Sequence, residues 1–178
     1  MVTTSPLQVS KWVTNIPTES NLIVGLDVKW RPNMEPYSHM RNPIATLQLC
    51  VGNRCLIFQI LHAPFLPRAL FTFLACPTAT FVGVHVQEHA NMLFQDYSLN
   101  VRNVTDLATI AATRLCNPHI HWFGLHALSL CILGFNIIYK PYPITWDHLF
   151  LFDDQVASAA IDAFLSCWIG RTLISITN

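Results

Sequence analysis

The segment Val24-Gly25-Leu26-Asp27-Val28-Lys29-Trp30 places an aspartate and a lysine two residues apart in an otherwise apolar run. Side chains at i and i+2 of a strand share a face, so Asp27 and Lys29 project together. Two carboxylates at that spacing would hold a hard divalent cation. An aspartate with a lysine instead makes a metal-free ion pair, or offers an ammonium to a phosphate. Two other places carry reactive side chains. Val84-His85-Val86-Gln87-Glu88-His89 lies where an apolar strand passes into a helix. His89 there is either a space-filling residue at the helix start or a general base working with a neighbour. His85, inside the strand pattern, reads as a core histidine. Asp162, in Ser158-Ala159-Ala160-Ile161-Asp162-Ala163-Phe164, interrupts a small, apolar helical face. It either faces solvent or is buried against a cation or a donor, since burial alone is costly.

The apolar pattern supplies the elements that position these residues. Residues 1–20 form a lead-in, with Ser5-Pro6 opening a short helix over 7–13. A strand buried on both faces follows over 21–30, then an irregular loop over 31–43. Strands over 44–51 and 54–60 flank Gly52-Asn53 as a hairpin. Next come a helix over 68–75, a strand over 80–86 and a helix over 88–97. A short strand over 101–104 precedes a helix over 106–115, with Thr105 as its N-cap. A helix over 123–133 stops at Gly134, a loop spans 140–145, and a last helix starts at Asp153 or Asp154 and runs to about residue 173. This order predicts one α/β domain over 21–175, whose mixed sheet begins as an antiparallel hairpin and continues in parallel crossovers.

Composition narrows the function classes. Of 178 residues, 52% are hydrophobic and only 11% charged, and ten acidic and ten basic residues cancel. No basic footprint announces nucleic acid, and so dry a surface belongs either to an unusually apolar monomer or, the favoured reading, to a homo-oligomer that hides it. The longest apolar window, 125–139, is shorter than the ~20 residues that span a bilayer and reads as a buried helix, so no membrane span is expected. No signal-peptide pattern is visible at the start. The cysteines (Cys50, Cys55, Cys76, Cys116, Cys131, Cys167) show no C-x-x-C pair. They read as reduced core thiols of an intracellular protein, cytoplasmic or nuclear.

Several segments together carry a family resemblance. They are Leu22-Ile23-Val24-Gly25-Leu26-Asp27-Val28-Lys29-Trp30-Arg31-Pro32, Ala45-Thr46-Leu47-Gln48-Leu49-Cys50-Val51-Gly52, Cys55-Leu56-Ile57-Phe58-Gln59, Thr80-Phe81-Val82-Gly83-Val84 and Ile161-Asp162-Ala163-Phe164. The chain resembles the DnaQ-type 3′–5′ exonuclease domains of the Werner-syndrome-exonuclease and RNase D group, small plant members above all. The resemblance implies a ribonuclease-H-like three-layer fold, with a mixed central sheet flanked by helices. It also implies a site in which four carboxylates hold two ions, Mg²⁺ or Mn²⁺, for hydrolysis of a terminal phosphodiester. Asp27 and Asp162 match the first and last carboxylates and are the implied metal ligands. Lys29 stands at the glutamate position, His89 at the second aspartate, and Ser158 at a tyrosine four residues before the last aspartate. Glu88 would supply an oxygen only if the helix start shifted by one residue. Trp30 or Phe81 would pack the terminal base.

The implied function is that of a 3′–5′ exonuclease-family protein cleaving or binding single-stranded RNA or DNA, RNA favoured. The alternative is a catalytically inactive pseudo-exonuclease, without cofactor, serving as an oligomeric interaction or nucleic-acid-binding module. Some small plant members of the group form hexameric rings that clear fragments from Argonaute silencing complexes. The resemblance therefore extends to a hexamer and an Argonaute-type partner.

Overall fold

Strand β2 (Leu22–Trp30) sits at the centre of the sheet because both of its faces are covered. In the computed structural model, which describes residues 1–17, 21–34, 41–138 and 143–175, Val24, Leu26 and Val28 point into one core while Gly25, Asp27 and Lys29 face the other side. The remaining strands are β1 (Val2–Thr3), β3 (Ile44–Val51), β4 (Arg54–Phe58), β5 (Ala79–Gly83) and β6 (Val104–Asp106). They lie in the order β1-β4-β3-β2-β5-β6. β2, β3 and β4 run antiparallel through the expected hairpin, while β5 and β6 add in parallel.

Helices α1 (Pro6–Thr14), α2 (Arg68–Leu74) and α3 (Val86–Tyr97) cover the first face. There Val9, Trp12, Leu70, Phe73 and Leu93 pack on the apolar side of β2. On the other face, α4 (Leu107–Arg114), α5 (Leu125–Leu128) and α6 (Asp153–Ser175) meet Val82 through Leu107, Ala111, Leu128, Leu165 and Ile169. The result is the three-layer mixed α/β architecture that the order of elements implies.

Helix α6 is seated unusually close to the sheet. Its buried face presents Ala159, Ala163 and Cys167, and a Cβ placed on Gly25 would lie 2.0 Å from the Ala163 carbonyl oxygen. Glycine at 25 and small residues on the helix are therefore conditions of the same contact. α6 is also long and apolar enough to cross a membrane by length and composition, and most of that apolar stretch is buried in the fold.

Several elements differ from the sequence expectation. The first residues are knitted into the domain, because β1 pairs in parallel with β4 and α1, N-capped by Ser5, packs in the core. After β4 the chain turns through a 3₁₀ segment at Ile60–His62 rather than extending as a strand. The sixth strand is displaced to Val104–Asp106. The N-cap of α4 is then Asp106, whose carboxylate accepts from the Thr109 N–H at 3.0 Å, and not Thr105. The window 125–139 is not one buried helix. A 3₁₀ turn at Pro118–Trp122 precedes α5, and a π turn at Ser129–Leu133 follows, ending at Gly134 with φ 72°. Leu130, Phe135 and Ile138 are exposed there, so hydrophobicity in this window did not signal burial. Tyr139 and parts of the two expected loops, 35–40 and 140–142, lie outside the described residues.

The cysteines also depart from the expectation of reduced core thiols. Cys50 and Cys55 sit opposite one another on β3 and β4 and form a disulfide. Antiparallel partners bring their Cβ atoms together without any C-x-x-C spacing. Cys116 and Cys131 are exposed, Cys76 is half-buried, and Cys167 alone of the free thiols is buried.

Candidate functional site

Near the end of β2, Asp27 and Lys29 emerge on the α6 side, paired across the ladder with Gln48 and Thr46 of β3. The close seating of α6 lowers Asp162 onto them. The Lys29 ammonium lies 2.8 Å from Asp27 Oδ2 and 2.5 Å from Asp162 Oδ2. Nζ is also 5.9 Å from the centre of the buried Trp146 ring. With the lysine side chain only 21% exposed, burial by itself would lower its pKa. The charges of Asp27 and Asp162 outweigh that and hold it above the ordinary lysine range, so Lys29 is a permanent cation.

His89 lies in the first turn of α3. Its Nδ1 is 3.8 Å from Asp27 Oδ1, and its ring meets Trp30 edge-on at 6.3 Å. Burial lowers its pKa; Asp27 pulls the other way and Lys29 adds to the lowering. His89 is therefore neutral at neutral pH, and Nδ1 has no hydrogen-bond partner among the described residues.

His85 is not the core histidine that the strand pattern suggested. β5 ends at Gly83, so residue 85 falls in the strand-to-helix turn, exposed and left-handed at φ 55°. Its N–H donates to Asp106 Oδ2 at 2.7 Å, which ties this turn to the end of β6.

These groups line a cleft of about 270 Å³, together with His126 and Ser166. Asp27, Lys29, His89 and Asp162 are thus brought together. Trp30 stands half-buried beside His89. Ser158 is buried on α6 but does not line the cleft. Glu88 is exposed and outside it, because the helix already begins at Val86 and turns residue 88 away.

Phe81 is a correction. It is fully buried, edge-on to Phe73 at 5.6 Å, because residue 81 of this inner strand faces the α1–α2–α3 core; it is unavailable to a base. Sequence reasoning missed His126, Ser166 and Trp146. Ser166 had a signal, since it lies one helical turn beyond Asp162 on the same face. His126 and Trp146 had none, since His126 sits on the single-turn helix α5 and Trp146 in a turn, and neither position is marked by an apolar period.

No protein-family model matches the chain. A 3′–5′ exonuclease of Arabidopsis thaliana is 29% identical over 154 residues, 84% of this chain and 52% of that protein. Human exonuclease 3′–5′ domain-containing protein 2 is 32% identical over 152 residues, 81% of this chain and 24% of that protein. The chain therefore spans about half or less of the length of these relatives. Among solved structures, the EXD2 exonuclease domain soaked in Mg and GMP superposes with a TM-score of 0.55 at 26% identity, covering 98% of this chain and 88% of that one. With the mixed sheet and the strand-end aspartate already described, these likenesses support a DnaQ-like 3′–5′ exonuclease domain with a ribonuclease-H-like fold in this chain.

Proposed function

We propose that this protein is a non-hydrolysing member of its family, one that binds single-stranded nucleic acid, RNA before DNA, at a cleft whose metal positions are taken by a lysine. One observation carries the reading: the Lys29 ammonium bridges Asp27 and Asp162, the two carboxylates of the cleft. A divalent ion about 4 Å from that ammonium would meet roughly 8 kcal/mol of repulsion at an effective dielectric of about 20. No group of three or more His, Cys, Asp or Glu side chains among the described residues is arranged to hold a metal. The residues present therefore do not fit a pair of Mg²⁺ or Mn²⁺ ions, and no step is derived through them. Both carboxylates are committed to Lys29, and the neutral His89 forms a wall beside Trp30. RNA takes precedence on the likeness to small plant members of the family.

Self-association belongs to the same proposal. Leu149, Phe150 and Phe152 are exposed just ahead of α6, on a chain poor in charge. Sedimentation analysis reads the assembly, with a hexamer and an Argonaute-type partner as the forms that the resemblance implies; a strict monomer at micromolar concentration would remove this part.

The test of the main reading uses 3′-labelled single-stranded RNA and DNA with Mg²⁺ or Mn²⁺. The expected result is binding without shortening. Shortening that disappears in Asp27→Ala would overturn it. Lys29→Glu is expected to gain Mn²⁺ affinity in calorimetry that the unaltered chain lacks. Equal affinity in both would show that the lysine does not exclude the ion.

A further inference from the structure

A chain of hydrogen bonds leads out of the cleft to a second depression. His85 at the cleft mouth donates its N–H to Asp106 Oδ2 at 2.7 Å. Asp106 Oδ1 accepts from the Thr109 hydroxyl at 3.1 Å, and that hydroxyl lies 3.4 Å from His121 Nδ1. Because the hydroxyl proton goes to Asp106, the imidazole tautomer that fits donates Nδ1–H to Thr109 and leaves Nε2 as an acceptor. The His121 ring in turn meets Trp122 edge-on at 5.5 Å. Trp122 is 84% exposed and closes a depression of about 480 Å³ with Thr109, Thr113, Pro118 and His121.

Two features mark this as a built platform rather than a stray surface indole. The 3₁₀ turn carrying it is fixed at both ends: Asn117 accepts from the His119 N–H at 3.1 Å, and Phe123 N–H donates to the Ile120 carbonyl at 2.9 Å. Ile120, directly before the two exposed rings, is buried in the core. The same segment continues directly into Leu125 and His126, which line the cleft. The two depressions thus sit at the two ends of one short stretch of chain. No carboxylate, lysine or arginine lines the outer one, so it suits a flat, uncharged group with hydrogen-bonding edges.

We propose that Trp122 and His121 form a nucleobase-stacking subsite, which receives a base of the same strand whose other part lies in the Lys29 cleft. This rests on the nucleic-acid-binding reading above and adds a site to it. The indole face supplies sequence-tolerant stacking, and His121 Nε2 accepts from an exocyclic amine. Affinity from this subsite comes from stacking and not from phosphate neutralisation, so it adds nothing to the salt dependence.

The experiment is fluorescence anisotropy with labelled ten-nucleotide single-stranded RNA and DNA, and an abasic strand of equal length. Trp122→Ala is expected to weaken binding of the base-bearing strands by roughly tenfold or more, with the salt slope unchanged. Trp122→Phe is expected to retain most of the affinity, and the abasic strand to be indifferent to either change. The indole is so exposed that its removal leaves no core cavity, so a folding defect does not confuse the result. Equal binding by the unaltered chain and Trp122→Ala overturns the subsite while leaving the nucleic-acid reading in place. No binding of any strand by the unaltered chain overturns both.

Discussion

Lys29 and Arg41 each neutralise partly buried carboxylate, in very different surroundings. Arg41 grips Asp96 with two hydrogen bonds of 2.8 and 2.9 Å, and Asp96 Oδ2 also accepts the Ile44 N–H at 2.9 Å. The Tyr97 hydroxyl donates to the Ile44 carbonyl beside them. Charge and backbone are satisfied together, and the effect is mechanical: the end of α3 is fastened to the start of β3. At Lys29, one ammonium serves two carboxylates, and the surrounding polar atoms are incompletely matched. His89 Nδ1 and Gln48 Oε1 are buried with no hydrogen-bond partner among the described residues. A clamp shaped for structure completes its hydrogen bonds. The cleft instead keeps polar atoms aimed inward and balances its charge through a single side chain.

The largest test of this contrast is Lys29→Met. It leaves Asp27 and Asp162 facing one another without their cation, and is expected to cost about 3 kcal/mol or more in urea unfolding. Adding Asp162→Asn to it should recover part of that loss. A cost below about 1 kcal/mol would mean that the two carboxylates do not depend on the lysine.

Asp96→Ala is expected to cost less, about 2 kcal/mol, because it removes one charge-assisted pair and one backbone acceptor at the surface end of α3. Amide exchange at Ile44 should accelerate while the cleft keeps its nucleic-acid affinity. Loss of that affinity would show that the clamp and the cleft are coupled.

The smallest effect is alkaline. Burial and the Asp96 charge push the Tyr97 pKa up to about 12, above the ordinary value of about 10, against a smaller opposing pull from Arg41. The unfolded chain ionises first, so this contribution is complete below pH about 10 and is lost as pH rises toward about 12. Tyr97→Phe should lack that part of the decline. Identical pH profiles from 9 to about 12 for both proteins would place the phenol in an ordinary environment.

Periodicity made much of this legible. The hairpin at Gly52-Asn53, α2, α3 and α6 lie close to where apolar spacing and capping residues put them. Failures concentrate where a residue's fate depends on a neighbour distant in sequence. Cys50 and Cys55 are paired by strand register, and β1 exists only because the edge of β4 is there to receive it. Phe81 was a candidate base-packing residue on chemistry alone, and the face on which it lies buries it. His85 and Trp122 owe their positions to turns, whose geometry an apolar pattern does not encode.

By itself the sequence determined that Asp27 and Lys29 share a strand face and that Asp162 and Ser166 share a helix face, because the periods of strand and helix are local properties of the backbone. Through the resemblance of its segments it also pointed to a 3′–5′ exonuclease domain, which the relatives and the fold support. Only the tertiary structure decided that Asp162 meets Lys29, 133 residues away. That contact is set by how low α6 can sit on β2, which depends on Gly25 lying beneath Ala163, a fit between two surfaces that neither segment records alone.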